Sequence, residues 1–122
     1  MMSYLKAPVL PKIKKVVVET YNFTKTFPET EKYALASQME RAAFSILSNF
    51  AEGFGRGSRK EVKHHLTIAR GSACELDAQL SVLPDIGYAE STQDLRNLLD
   101  RIVYELNLII NKYGKGSDDD QA

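Results

Sequence analysis

A chain of 122 residues with a single cysteine, Cys74, has the size of one domain with one hydrophobic core and excludes an internal disulfide. Lys plus Arg (16) balance Asp plus Glu (16), which excludes a long-range positive field toward nucleic acid and leaves only local patches to make such contacts. No apolar run approaches the roughly 20 residues of a membrane helix, and the opening MMSYLKAPVLPKIKK lacks a signal-peptide core; with the lone cysteine this points to a cytoplasmic protein with no membrane partner.

Residues 1–10 are expected to form an irregular arm, because Pro8 and Pro11 exclude a continuous helix across them. From Pro11, a good first-turn residue, Ile13, Val16, Val17, Thr20, Tyr21 and Thr24 recur at helical steps, and Phe27-Pro28 ends this first helix. A second helix is predicted from about Thr30 to Phe54. Leu35, Met39, Ala42, Ile46 and Asn49 form one stripe on it, with Ala43, Leu47, Phe50 and Phe54 beside them. Gly53, Gly55 and Gly57 then stop it, since glycine takes the left-handed conformation of a helix end without strain.

Ser58 and Glu61 make a capping box for a third helix, on which Val62, Leu66, Ala69, Ala73, Leu76, Leu80 and Leu83 alternate steps of four and three. Pro84 and Gly87 predict its end, and Ser91 to Asp94 form a second box. Leu95, Leu99, Ile102, Leu106, Ile109 and Tyr113 repeat the pattern on a fourth helix. There Leu98, Val103 and Ile110 widen the stripe beyond one core seam, which suggests a subunit contact. The reading is an all-α, antiparallel up-down-up-down four-helix bundle over residues 11–113, followed by a glycine-rich acidic tail over 114–122 that is expected to be disordered.

Three groups of residues invite a functional reading. Arg56, Arg59, Lys60, Lys63 and Arg70 cluster against Glu61 alone and form a candidate nucleic-acid-binding patch, with His64 and His65 read as exposed neighbours. The glycines before them resemble a phosphate loop but lack its spacing and its preceding strand. Glu61 and His64 match the Glu-x-x-His spacing of di-iron bundles, yet only one copy is present, so no metal and no cofactor is expected. Ser45, Ser48, Asn49 and Glu52 on the second helix, with Ser72, Glu75 and Gln79 on the third, predict a structural polar network or a subunit interface. Acid–base catalysis by Glu52 and Glu75 is the competing reading, and it requires a pocket holding both with raised pKa values. Cys74, beside Glu75, reads as a packing residue.

The run from Phe27-Pro28 through Glu31, Tyr33, Leu35 and Gln38, then Arg41-Ala42-Ala43-x-Ser45-Ile46-x-Ser48-Asn49-x-Ala51-Glu52-Gly53, carries a resemblance. It continues as Gly55-Arg56-x-Ser58-x-x-Glu61 and Leu66-x-Ile68-Ala69-Arg70-Gly71-Ser72-x-x-Glu75-Leu76-x-x-Gln79-Leu80. These residues resemble the small four-helix bundle proteins encoded in intervening sequences of bacterial 23S rRNA genes, which are related to accessory proteins of diversity-generating retroelements. The resemblance implies a homopentameric ring, and in the retroelement branch a basic ring that contacts a reverse transcriptase and nucleic acid. Two departures bear on this. Glu40 stands where the family usually has a second arginine beside Arg41, and Leu47 where it has proline. The expected function is therefore a non-catalytic, ring-forming bundle that pairs with itself and binds RNA or a nucleic-acid-processing partner through the basic patch. The alternative is a protein–protein assembly module without nucleic-acid binding.

Overall fold

The computed structural model describes residues 3–114 and consists of four α-helices: α1 (Val9–Thr24), α2 (Leu35–Gly55), α3 (Arg59–Val82) and α4 (Gln93–Gly114). Short 3-10 turns occupy Ser3–Lys6 and Glu29–Glu31, and there is no β-strand among the described residues. α2 and α3 make the largest interface, α3 and α4 the next, and α1 lies against both α2 and α4. The helices thus close a four-sided bundle around one core. Among the described residues no helix is long and apolar enough to cross a membrane. The acidic tail from Lys115 onward lies outside the described residues.

The periodic seams form the core. Val62, Leu66, Ala69, Ala73, Leu76, Leu80 and Leu83 are each fully buried, as are Ile13 and Val16 of α1, and Met39, Ala43, Ile46 and Phe50 of α2. On α4 the seam runs through Leu95, Leu99, Ile102 and Leu106 and then shifts to Ile110, while Ile109 and Tyr113 pack at its margin. Ile110 therefore belongs to the core, and the apolar residues left exposed on α4 are Tyr104 and Leu108. Thr20 is buried in α1 and satisfies its hydroxyl by donating to the Val16 carbonyl at 2.7 Å.

Two boundaries differ from the sequence reading. α1 starts at Val9, two residues before Pro11, because the first-turn N–H groups have no intrahelical acceptor and proline loses nothing there. The preceding 3-10 turn packs Tyr4 edge-on against Phe50, with centroids 6.5 Å apart. α2 starts at Leu35 and not Thr30: Pro28 is extended, Glu29–Glu31 make a 3-10 turn, and Ala34 (φ −119°, ψ −102°) breaks the helical backbone just before Leu35. Tyr88, between α3 and α4, donates to Glu31 at 2.9 Å and packs its ring at a tilt against Phe27, centroids 5.1 Å apart, tying the two loops at this end of the bundle. The bond to Glu31 holds the Tyr88 phenol above its ordinary pKa, so the tie is present below the ordinary tyrosine value and is lost as pH rises through the raised one.

The glycines at the α2–α3 turn divide their work. Gly57 (φ +82°) takes the left-handed conformation, whereas Gly53 and Gly55 remain helical. Gly53 is buried for a different reason: a Cβ there would stand 3.1 Å from His65 Cβ and 3.4 Å from Val62 Cα. It lets α2 and α3 approach closely just before they separate into the turn.

Gly53→Val should therefore lower stability by about 1–3 kcal/mol through overpacking. Gly71→Ala, at an exposed α3 position where a Cβ meets nothing within 4 Å, should raise it by up to about 1 kcal/mol through helix propensity. Urea unfolding followed by circular dichroism separates the two; equal shifts of one sign would refute the close-approach role of Gly53.

Candidate functional site

The facing sides of α2 and α3 carry a hydrogen-bonded chain. Ser72 Oγ donates to Ser45 Oγ at 2.7 Å, and Asn49 Nδ2 donates to Ser45 O at 3.0 Å and Ser45 Oγ at 3.1 Å. Asn49 Oδ1 is then left as an acceptor, so His65 Nδ1 carries the hydrogen in their 2.9 Å bond. Glu61 Oε2 stands 3.4 Å from His65 Nε2. Ser58 Oγ accepts from the Glu61 amide at 3.2 Å, one half of the predicted capping box, while the Glu61 carboxylate turns toward His65 and not back to Ser58.

His65 is thus buried, contrary to the expectation of an exposed histidine; only His64 is exposed. The reason is its place on α3: three residues after Val62 and four before Ala69, it shares the seam that faces α2. Of the seven polar residues expected to form a structural network or a subunit interface, the structure joins Ser45, Asn49 and Ser72 by hydrogen bonds within the chain. Ser48 and Glu75 are exposed, and Gln79 carries a buried Oε1 with no partner. Glu52 swings outward to bond Arg56 at 2.6 Å.

That bond, made at the surface, holds the Glu52 carboxyl below its ordinary value. A catalytic pair with Glu75 needs the opposite shift and a shared pocket. Ser45 meets Ser72 and Asn49 meets His65, so Glu52 and Glu75 lie about two to three turns apart along the hairpin.

The basic patch is also sorted by its partners. Arg59 donates to the Lys112 carbonyl at 2.8 Å and lies over the Tyr113 ring at 4.9 Å, so it caps the end of α4. Arg70 donates to Asn107 Oδ1 at 2.7 Å, and Arg56 is paired with Glu52. Lys60 and Lys63 are exposed and make no hydrogen bond or ion pair among the described residues. Because α4 ends beside the start of α3, Lys112 joins them, its Nζ 5.9 Å from the centre of the Tyr113 ring. Sequence reasoning missed Lys112, although short connections in a bundle place the end of the last helix beside the start of the third. A concavity of about 610 Å³ between α1 and the start of α4 contains none of these residues.

Both departures from the family pattern have structural consequences. Glu40 Oε2 accepts from Thr24 Oγ1 at 2.8 Å and links α2 to α1. Leu47 packs against the core in an unbroken stretch of α2. Compared with known families, residues 6–110 match the model described as 23S rRNA-intervening sequence protein. No curated protein matches the chain significantly.

Asn49→Ala leaves the His65 donor without its acceptor and should cost about 1–3 kcal/mol, whereas Ser48→Ala, one residue away but exposed, should stay within about 0.5 kcal/mol. A double-mutant cycle of Asn49 and His65 in urea should show coupling near 1 kcal/mol. Additive losses would mean that the bond contributes nothing.

Proposed function

We propose that this chain, which belongs to the 23S rRNA-intervening sequence protein family, is a non-catalytic bundle that assembles into a ring and holds RNA or a ribonucleoprotein at the lysine-rich end of its α2–α3 hairpin. The observation that supports this is the gathering of Lys60, Lys63 and Lys112 from two helices at one end of the bundle, beside Arg56 and Arg59. Exposed lysines without intramolecular partners are free to neutralise phosphates and release their counterions. Arg59, held against α4, supports the surface more than it contacts a ligand. Arg70 is similarly engaged by Asn107, and this narrows the interface to the turn end.

The antiparallel course, the five-fold ring and a cytoplasmic location are part of the same proposal. They are supported by the short helix connections, by the family resemblance and by the lone cysteine. Repetition around a ring raises the avidity of a site that is weak in one copy, which a neutral chain requires. A second reading, a protein assembly module without nucleic acid, is favoured by the zero net charge and by Tyr104 and Leu108, exposed one turn apart on α4.

Structured RNA should be retained at about 50 mM salt and released near 200 mM, and Lys60→Ala or Lys63→Ala should each reduce the salt slope by about one. Glu52→Gln, which frees Arg56, should tighten binding. Absence of retention at low salt, or an affinity indifferent to salt, would rule out the RNA reading and leave the assembly module. Light scattering should show five copies; a monomer alone at micromolar concentration would refute the ring.

A further inference from the structure

The zero net charge of the chain has a local origin. Residues 115–122 hold Asp118, Asp119 and Asp120 against Lys115, and without these four, 15 basic residues face 13 acidic ones. Residues 1–114 are therefore net positive, and the acidic run that follows α4 brings the balance to zero.

Ion pairing shows where that positive charge stands uncompensated. Near the α2–α3 turn Glu52 is bonded to Arg56, and Glu61 turns toward His65. Along α4, Lys12 and Arg101 share Glu105, and Asp77 holds Arg96. Lys60, Lys63 and Lys112 are exposed, and their ammonium groups meet no carboxylate among the described residues. Lys60 and Lys63 also lie in the first turns of α3, which starts at Arg59 and whose free N–H groups favour anions.

The end of α4 stands at the same place. Arg59 donates to the Lys112 carbonyl at 2.8 Å, and a Cβ added to Gly114 would stand 3.7 Å from Lys63 Nζ. The chain thus leaves α4 beside Lys63. Asp118 follows four residues later, and an extended chain spans at most about 3.6 Å per residue, so its Cα stays within about 14 Å of Gly114. Lys60 is one turn from Lys63, about 4.5 Å along the axis of α3, and falls within the same reach.

We infer that the acidic segment Asp118–Asp120 docks on Lys60, Lys63 and Lys112 of its own chain and competes there with phosphate. A carboxylate offers these lysines what a phosphate oxygen does, a compact anion that accepts hydrogen bonds. The short tether presents it at an effective concentration on the order of millimolar, so a weak contact is populated without a second molecule. One exposed ion pair contributes little, whereas three aspartates beside a helix N-terminus act together. RNA must then displace the segment before it can bind. The docking stands on charge and reach alone, and its consequence for RNA rests on the reading proposed above.

The test has two arms, both on the full chain. A water-soluble carbodiimide joins carboxylates to lysines in direct contact, and peptide mass spectrometry of the monomer-mass band identifies the links. Asp118–Asp120 should be joined to Lys60, Lys63 or Lys112 at about 50 mM salt and far less at about 500 mM, where screening shortens to about 4 Å. In the second arm, Asp118→Asn, Asp119→Asn and Asp120→Asn made together should tighten binding of structured RNA about threefold or more at about 50 mM salt. Glu29→Gln, Asp85→Asn and Glu90→Gln remove the same charge from exposed side chains at the other end of the bundle, and should leave that affinity nearly unchanged. Absence of the low-salt link, links confined to dimer-mass bands, or equal effects of the two triple variants on RNA would overturn the inference. If no variant binds RNA, the RNA reading falls and the cross-link alone decides the docking.

Discussion

The close approach of α2 and α3 at Gly53 is the constraint on which the rest depends. Without a Cβ at that point the two helices come so close that an added side chain would have to push His65 and Leu66 aside by a few tenths of an ångström, and His65 is carried against Asn49. Burial of an imidazole and a carboxamide is tolerable only if each finds a partner, and the chain Ser72, Ser45, Asn49, His65 satisfies them in sequence. Apolar seams alone permit sliding by a turn, since any leucine fits another hole. A hydrogen-bonded chain allows a single register. The glycine and the polar residues are therefore two parts of one device: one sets the spacing of the helices and the other their offset.

The division of cations follows from the same geometry. Arginine presents a planar fork that a fixed acceptor can hold, whereas lysine is a hydrated point charge on a flexible stem. Along the α3–α4 interface Arg59, Arg70 and Arg96 bridge to the Lys112 carbonyl, Asn107 and Asp77, near the ends and along the middle of the helices. On the opposite flank Lys12 and Arg101 converge on Glu105. Basic residues that look alike in the sequence are thus two populations, one bonded within the chain and one, including Lys60 and Lys63, exposed without a bond among the described residues. A count of positive charge in the stretch 56–70 merges them.

Much of the bundle was legible because its core repeats at helical spacing. The α3 seam is buried from Val62 to Leu83 as its steps of four and three required. His65 was misread because a polar residue beside a second histidine suggests a surface, yet its offsets from Val62 and Ala69 place it on the buried face. Glu52 shares a spacing with Asn49 but has a flexible stem long enough to leave the interface for Arg56, a choice that periodicity does not encode. The role of Gly53 was likewise hidden among three glycines, since a close approach depends on the opposite helix and not on the local sequence.

Position on the hairpin also explains why some polar pairs close while others stay open. Ser45 and Ser72 have short side chains and meet where α2 and α3 lie near each other. Arg41 and Glu75 are longer and more flexible, and both could reach across the same space, yet they remain apart around it. An exposed ion pair contributes only about 0.2–1 kcal/mol and must order two long side chains, so nothing strong draws them together. The weakness of surface ion pairs is thus why side-chain length and helix spacing, more than charge, decide which polar pairs close across the hairpin.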